Sequence, residues 1–188
     1  HTFISFGFDG NRFLSISAEI RKEKGETFSP LKGAMRQYEL MYVVGDEQDL
    51  IKLRTNYRHD EVFLYPVKTT PIKMRRMFLS MIERANALRQ HPEFYNTFNN
   101  TCTTNIVSHV NSLTPHRVPF SFAVLLPGYS DRLALKLGLI DTSLSIDEAH
   151  ARFRIDQKAR ACGDCPYFSL AVRRQAAVHG FSGPIKRT

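Results

Sequence analysis

At 188 residues, with 43% hydrophobic and 23% charged, the chain is long enough for one well-cored domain and too apolar for disorder to be its default. Its longest apolar run, VPFSFAVLLPGY, falls far short of the roughly 20 residues of a membrane-spanning helix, and the opening HTFISFGF lacks the basic start and cleavage pattern of a signal peptide. The net charge of +8 is concentrated after Ala149, where Arg152, Arg154, Lys158, Arg160, Arg173, Arg174, Lys186 and Arg187 face only Asp156 and Asp164; with no zinc-finger spacing or RNA-binding motif beside it, this stretch reads as a solvated helical face or a contact for phospholipid headgroups, and nucleic acid is not an expected partner.

The chain opens on His1 rather than Met, as expected of an internal piece or a processed form. HTFISFGF and RFLSISAEI flank DGN and read as a hairpin with a three-residue connection. Alternation puts Ile4, Phe6, Leu14, Ile16, Ala18 and Ile20 on a core face, and His1, Phe3, Ser5, Ser15, Ser17 and Glu19 on the other. A connection of that length pairs Ile4 with Ile16 and Phe6 with Leu14, which keeps the faces unmixed. The same register sets His1 opposite Glu19. QYELMYVVGD reads as a third strand, EQDLIKLRTNY as a short helix, and EVFLYPV as a fourth strand ended by Pro66. TPIKMRRMFLSMIERANALRQ is the clearest helix, with Thr70 as cap, Pro71 at its first position and a core stripe of Ile72, Phe78, Met81, Ile82, Ala85 and Leu88.

A further helix follows from Ile106, Val110 and Leu113, with Asn99, Asn100 or Thr101 as its cap and Cys102 in its first turn. After a proline-broken loop, a short helix starts near Tyr129. Ser145 then caps a last helical tail from Ile146 to about Arg160, with a frayed end. The expected architecture is α+β, an antiparallel sheet packed against helices, organised as a domain over 1–145 and a basic helical tail over 146–188.

Cys102 is the residue that points to chemistry. A buried structural cysteine keeps apolar company, whereas this one sits among Asn99, Asn100, Thr101, Thr103, Thr104 and Asn105. At a helix N-terminus the unpaired amides and the positive dipole end favour thiolate over thiol, and the same amides can hold an oxyanion. Its base cannot be His109, which lies two turns along the helix, roughly 10 Å away. His1 is the best remaining candidate, with Glu19 placed to orient its ring, in the order nucleophile, base, orienter. His59, His91, His116, His150 and His179 lie in loops or exposed segments without a comparable partner. Cys162 and Cys165 form CGDC without two further ligands at zinc spacing, so a local disulfide or two inert thiols is expected, and neither metal nor cofactor.

The stretches HTFISFGFDG, FLSISAEIRKEKGE, RQYELMYVVGDEQDLIKLRTNYR, FYNTFNNTCTTNI and LLPGYSDRLALKLGLIDTSL resemble, in order over about 1–155, the Lnb N-terminal periplasmic domain family. That family in turn is similar to circularly permuted papain-like proteins of the NlpC/P60 and lecithin:retinol acyltransferase type, in which a histidine precedes the cysteine, as His1 precedes Cys102. The resemblance implies a periplasmic enzyme, membrane-attached in its full-length form. Such an enzyme would form a thioester on Cys102 and move an acyl chain from a phospholipid donor to a lipoprotein amino terminus, with His1 as base. Glu19 as third member follows from the register and not from the resemblance. Two departures stand out: Thr101 precedes the cysteine where the family often has Asn, and the family's membrane helices are absent from this stretch.

The same residues would serve a thiol hydrolase or amidase acting on cell-wall peptides, with water as acceptor. A third reading is a non-catalytic binding module that holds a lipid or partner protein through Phe3, Tyr38, Tyr42 and the basic tail. Candidate substrate-binding residues are Arg21, Tyr38, Asn100 and Thr103. Arg21, Arg36, Arg54 and Arg58 either form an anionic headgroup pocket or pair with Glu19, Glu23, Asp46 and Asp49; an Arg21–Glu19 pair would weaken the orienting role given to Glu19.

Overall fold

The computed structural model describes residues 1–115 and 117–174. Three antiparallel strands form one sheet in the order β1 (Ile4–Phe8), β2 (Arg12–Arg21), β3 (Glu39–Asp46). The hairpin register is the expected one, with Ile4 opposite Ile16 and Phe6 opposite Leu14. Glycine at position 10 takes a positive φ of 78° in the connection, as a tight reversal requires. β3 continues the alternation, so that Leu40 and Tyr42 lie beside Ile20 and Ala18, while Met41 and Val43 lie beside Glu19 and Ser17.

Nine α-helices surround the sheet among the described residues, and two long ones cover its core face. α1 (Pro30–Ala34) and α2 (Glu47–Lys52) flank β3. α3 (Pro71–Gln90) is capped by the Thr70 hydroxyl, and α4 (Cys102–Leu113) runs beside it. Phe6, Ile16, Met77, Met81 and Ile106 form one buried cluster, and Ala18, Leu40, Leu88 and Cys102 the next. The α3 stripe differs from expectation at its start. Residues 71–76 are all exposed, Ile72 among them, and Met77 is the first residue to turn inward.

The other face of the sheet is not a polar, wetted surface. Ser15 and Ser17 are fully buried, Ser15 bonding Ser5. On this face α2 packs on β2, and two late helices, α8 (Asp156–Cys162) and α9 (Phe168–Arg173), pack on α2, so that Ile155, Ala159, Phe168 and Val172 form a core with Ile51 and Val62. Packing thus continues past the expected end near Arg160 through residue 174, and the expected frayed end, at 175–188, lies outside the described residues. A ladder of ion pairs explains why the basic residues are not simply a solvated face. Arg154 and Arg160 share the buried Asp156, and Arg173 grips the fully buried Glu47 through two bonds of 2.6 Å. Lys186 and Arg187 lie outside the described residues. Between these parts run α5 (Phe122–Leu125), a 3₁₀ turn over Pro127–Tyr129, α6 (Ser130–Lys136) and α7 (Ile146–Phe153). Ser145 and Glu148 close a capping box at the start of α7.

The fourth strand is a second correction. EVFLYPV is extended but makes only isolated bridges, Phe63 to Arg154 and Val67 to Ile140. Pro66 offers no N–H, and the neighbours it meets are helix ends and loops, so no ladder propagates. Cys162 and Cys165 are paired in a disulfide, the first of the two expected alternatives.

Replacing Arg173 by Met should strand a buried carboxylate and cost about 3 kcal/mol. That corresponds to a fall in melting temperature of roughly 6–12 °C for a chain of this size. Combining Glu47→Gln with Arg173→Met should recover part of it. An unshifted thermal melt for Arg173→Met would mean that α9 contributes nothing to the core.

Candidate functional site

The polar company of Cys102 is explained by what it takes to start a helix inside the protein. Thr101 is the cap: its hydroxyl accepts from the Thr104 amide, while the Thr104 hydroxyl accepts from the Thr101 amide at 2.7 Å. Asn105 ties this turn down further, donating to the Thr101 carbonyl and to the Asn100 side chain. The amides of the first turn lie ahead of the helix's own ladder. Cys102 is thereby held at the first position of α4 and buried, only 7% exposed.

His1 completes the arrangement from the far end of the hairpin. Sheet pairing stops at Ile4, yet the ring reaches Glu19, Nε2 to Oε1 at 3.0 Å. Glu19 in turn accepts from Arg54 at 2.7 Å and from the Ser17 hydroxyl at 3.1 Å. The His1 ring and the Cys102 thiol are close enough that each shifts the other's ionisation.

The electrostatics follow from these contacts. Burial pushes the Cys102 thiol up, but the hydrogen bond and charge of His1, the Thr2 amide and the Thr103 hydroxyl outweigh it and leave its pKa lowered. Burial likewise opposes the imidazolium of His1. Its bonds to Cys102 and Glu19, with their charges, prevail and leave its pKa raised. Glu19 shows the same contest, burial against His1 and Arg54, and is held down to about 2. The three shifts run in the same sense, each favouring the charged form of its group, thiolate, imidazolium and carboxylate, with Arg54 beside the last. Nearby Tyr95 is pushed up to about 12, by burial first and then by the charge of Cys102.

The remaining sequence candidates are distributed as follows. Thr103 is buried beside the thiol and 3.3 Å from the Thr2 hydroxyl. Asn100 braces the preceding loop, donating to the Phe94 carbonyl and accepting from Asn105. Tyr38 is buried, its hydroxyl donating to the Thr27 carbonyl and accepting from the Ser29 amide. Arg21 is exposed and pairs with Glu39 at 3.0 Å, not with Glu19. His109 is held as a neutral structural group between Tyr42 and Ser80, its pKa lowered by burial and then by Arg84.

Two features were missed. Arg54, grouped in the sequence with three other arginines, is the one that reaches Glu19. The signal is hidden in a π-helical turn, Leu53–Tyr57, which no period of 3.6 announces. The expectation that no other histidine has a partner is also corrected, because His150 bonds Asp131 at 2.7 Å and stacks on Phe63. Asp131 lies 19 positions upstream and carries no local sign of the pairing.

The fold and site define a class: an α+β domain that presents a helix-opening cysteine to a histidine leading into an edge strand. More particularly, residues 1–128 match the model of the Lnb N-terminal periplasmic domain family, and the chain belongs to that family. The family is a periplasmic one, which supports a periplasmic location. No curated protein and no solved structure matches the chain. Among the described residues, no helix is long and apolar enough to cross a membrane.

Iodoacetamide alkylation of Cys102 should reach its plateau at a lower pH than that of a free cysteine. A lowered thiol pKa leaves thiolate present below the range, about pH 8.5, where a free cysteine ionises. In His1→Ala the cation is gone and only the Thr2 amide and Thr103 hydroxyl oppose burial, so the rate at pH 7 should fall at least tenfold, with its midpoint displaced upward. A rate that climbs through pH 8.5 in both proteins would show that no ion pair forms.

Proposed function

We propose that the domain is a cysteine acyltransferase of the cell envelope, working through a papain-like arrangement in which Cys102 is nucleophile, His1 base and acid, and Glu19 the positioning carboxylate. The observation that carries this reading is His1 standing between Glu19 and Cys102 at the start of α4. The family relationship supports the periplasmic setting, and the order of the two residues is that of permuted thiol enzymes.

The Cys102 thiolate attacks the acyl carbonyl of a phospholipid ester. Negative charge gathers on the carbonyl oxygen, where the Cys102 amide and a neighbouring donor at the helix start are placed to receive it. The ester C–O bond breaks and the lysophospholipid alkoxide leaves with the proton of His1. A thioester on Cys102 and a neutral imidazole remain. The amino terminus of a lipoprotein then attacks the thioester and gives its proton to His1. The C–S bond breaks, and the amide leaves a thiolate again paired with an imidazolium. Neither half-reaction needs a metal or a redox cofactor for its balance. With water in place of the amine, the same steps describe a hydrolase.

Incubation with phospholipid alone should raise the mass of the intact protein by one acyl chain, located on Cys102 by peptide mass spectrometry. Adding an amino-terminal peptide acceptor should discharge it as an N-acyl product. Cys102→Ala should abolish both steps and His1→Ala slow the first by at least a hundredfold. Full transfer by Cys102→Ala would overturn the reading. Release of free fatty acid alone, or consumption of cell-wall peptides in place of lipid, would assign a hydrolase.

A further inference from the structure

His1 has a second neighbour. On the face of the sheet away from Cys102, a cleft of about 400 Å³ opens between the strands and the α2–π-turn segment, and His1 forms part of its wall. Its apolar side comes from alternate residues of β3, Met41 and Val43, and from Leu53 across the gap. Met41 and Leu53 are exposed although large and apolar, at 37% and 41%. The cationic side comes from Lys22 at the end of the hairpin and Arg58 at the end of the π turn. Arg54, on the same wall, is already spent on Glu19, and the other acid there, Asp49, has no ion-pair partner among the described residues. The side chains of Lys22 and Arg58 have no hydrogen-bond or ion-pair partner among the described residues.

An apolar trough with two unengaged cations at its mouth suits one chemistry. A free anion would gain from the cations and leave the apolar wall wet, while a neutral chain would leave the cations unused. We infer that the cleft is a binding site for an anionic amphiphile, its headgroup at Lys22 and Arg58 and its acyl chain along Met41, Val43 and Leu53. The role of this site, as the seat of the acyl donor beside His1, rests on the acyltransferase reading; its existence does not. The π turn is what makes it possible. The i→i+5 bond from the Arg58 amide to the Leu53 carbonyl at 3.2 Å inserts an extra residue. Arg54 thus turns in to Glu19, and Arg58, four positions later, stands on the cleft wall.

The test is calorimetric titration of the whole chain carrying Cys102→Ala, which cannot turn a lipid over. Lysophosphatidylglycerol and laurate serve as anionic probes and lysophosphatidylcholine as the zwitterionic one, all below their micelle concentrations. Both anionic probes should bind at least tenfold more tightly than lysophosphatidylcholine, and the tighter of the two identifies a phospholipid or a fatty acid as the source. Lys22→Glu with Arg58→Glu, or Met41→Asp alone, should weaken anionic binding at least tenfold. Asp49→Asn should tighten it, and Lys73→Glu on the exposed start of α3 should leave it within twofold. Equal binding of charged and zwitterionic probes, or equal affinity in the Lys22→Glu, Arg58→Glu protein, would overturn the inference. Thermal melts of each variant identify any that has lost its fold, and Met41→Asp and the paired charge reversal stand in for each other. Lipid binding without any thioester on intact Cys102 would sink the acyltransferase reading alone; thioester formation without charge-selective binding would sink this inference alone.

Discussion

Everything at the site depends on one ring placed between two anions. The imidazole of His1 is largely buried, and so are the thiol of Cys102 and the carboxyl of Glu19, whose side chains all carry a desolvation penalty if charged. Burial by itself would leave a neutral thiol, a neutral imidazole and an acid with a raised pKa. The opposite outcome arises because each charge solves the next one's problem. The imidazolium stabilises both neighbours, and Arg54 prevents Glu19 from being a net negative drain on the cluster. Removing any one member leaves the others in a medium that disfavours them, so the four groups stand or fall together.

That interdependence places demands on the fold. Two of the four residues belong to one small sheet, His1 just ahead of its edge strand and Glu19 on its central one, while Cys102 comes from a helix start and Arg54 from the π turn. Glu19 lies on β2, the central strand, so its position is fixed by pairing on both sides. Cys102 is fixed by the reciprocal Thr101–Thr104 cap, and Arg54 by the π turn that follows α2. On the Ser15–Ser17 face, α2 packs on β2, with α8 and α9 packed in turn on α2. The late basic helices therefore matter to the site through packing: Arg173, Arg160 and Arg154 neutralise buried acids among these helices.

How much of this was readable in the sequence divides along a physical line. Local rules sufficed where a feature is settled by near neighbours. The length of the hairpin connection fixed the pairing of Ile4 with Ile16 and brought His1 toward Glu19. A threonine and a proline marked the start of α3, and a run of short polar residues marked the start of α4. What escaped depends on long-range partners. EVFLYPV has the composition of a strand but finds no strand to pair with. Ser15 and Ser17 look solvent-facing until α2, about thirty residues away, packs on β2 and they end up buried. Tyr38 looks available as an aromatic contact, yet its hydroxyl is committed to the chain between α1 and β2.

The cysteine among asparagines and threonines thus answers to two requirements at once. A helix that begins inside a protein must satisfy its first amides without water. Short polar side chains are the ones small enough to do it there, and Thr101, Thr104 and Asn105 are used in that way. The cap binds its own amides in the backbone at Thr101 and Thr104, while the position between, occupied by Cys102 and Thr103, is turned toward Thr2 and His1. A Thr at the cap can do this where an Asn would also serve, since both supply a side-chain oxygen to the third amide. The same polarity that caps the helix therefore also shapes the surroundings of the thiol. A Cys102 flanked by apolar residues would sit at a looser helix start and face His1 without the Thr103 hydroxyl that helps hold its charge.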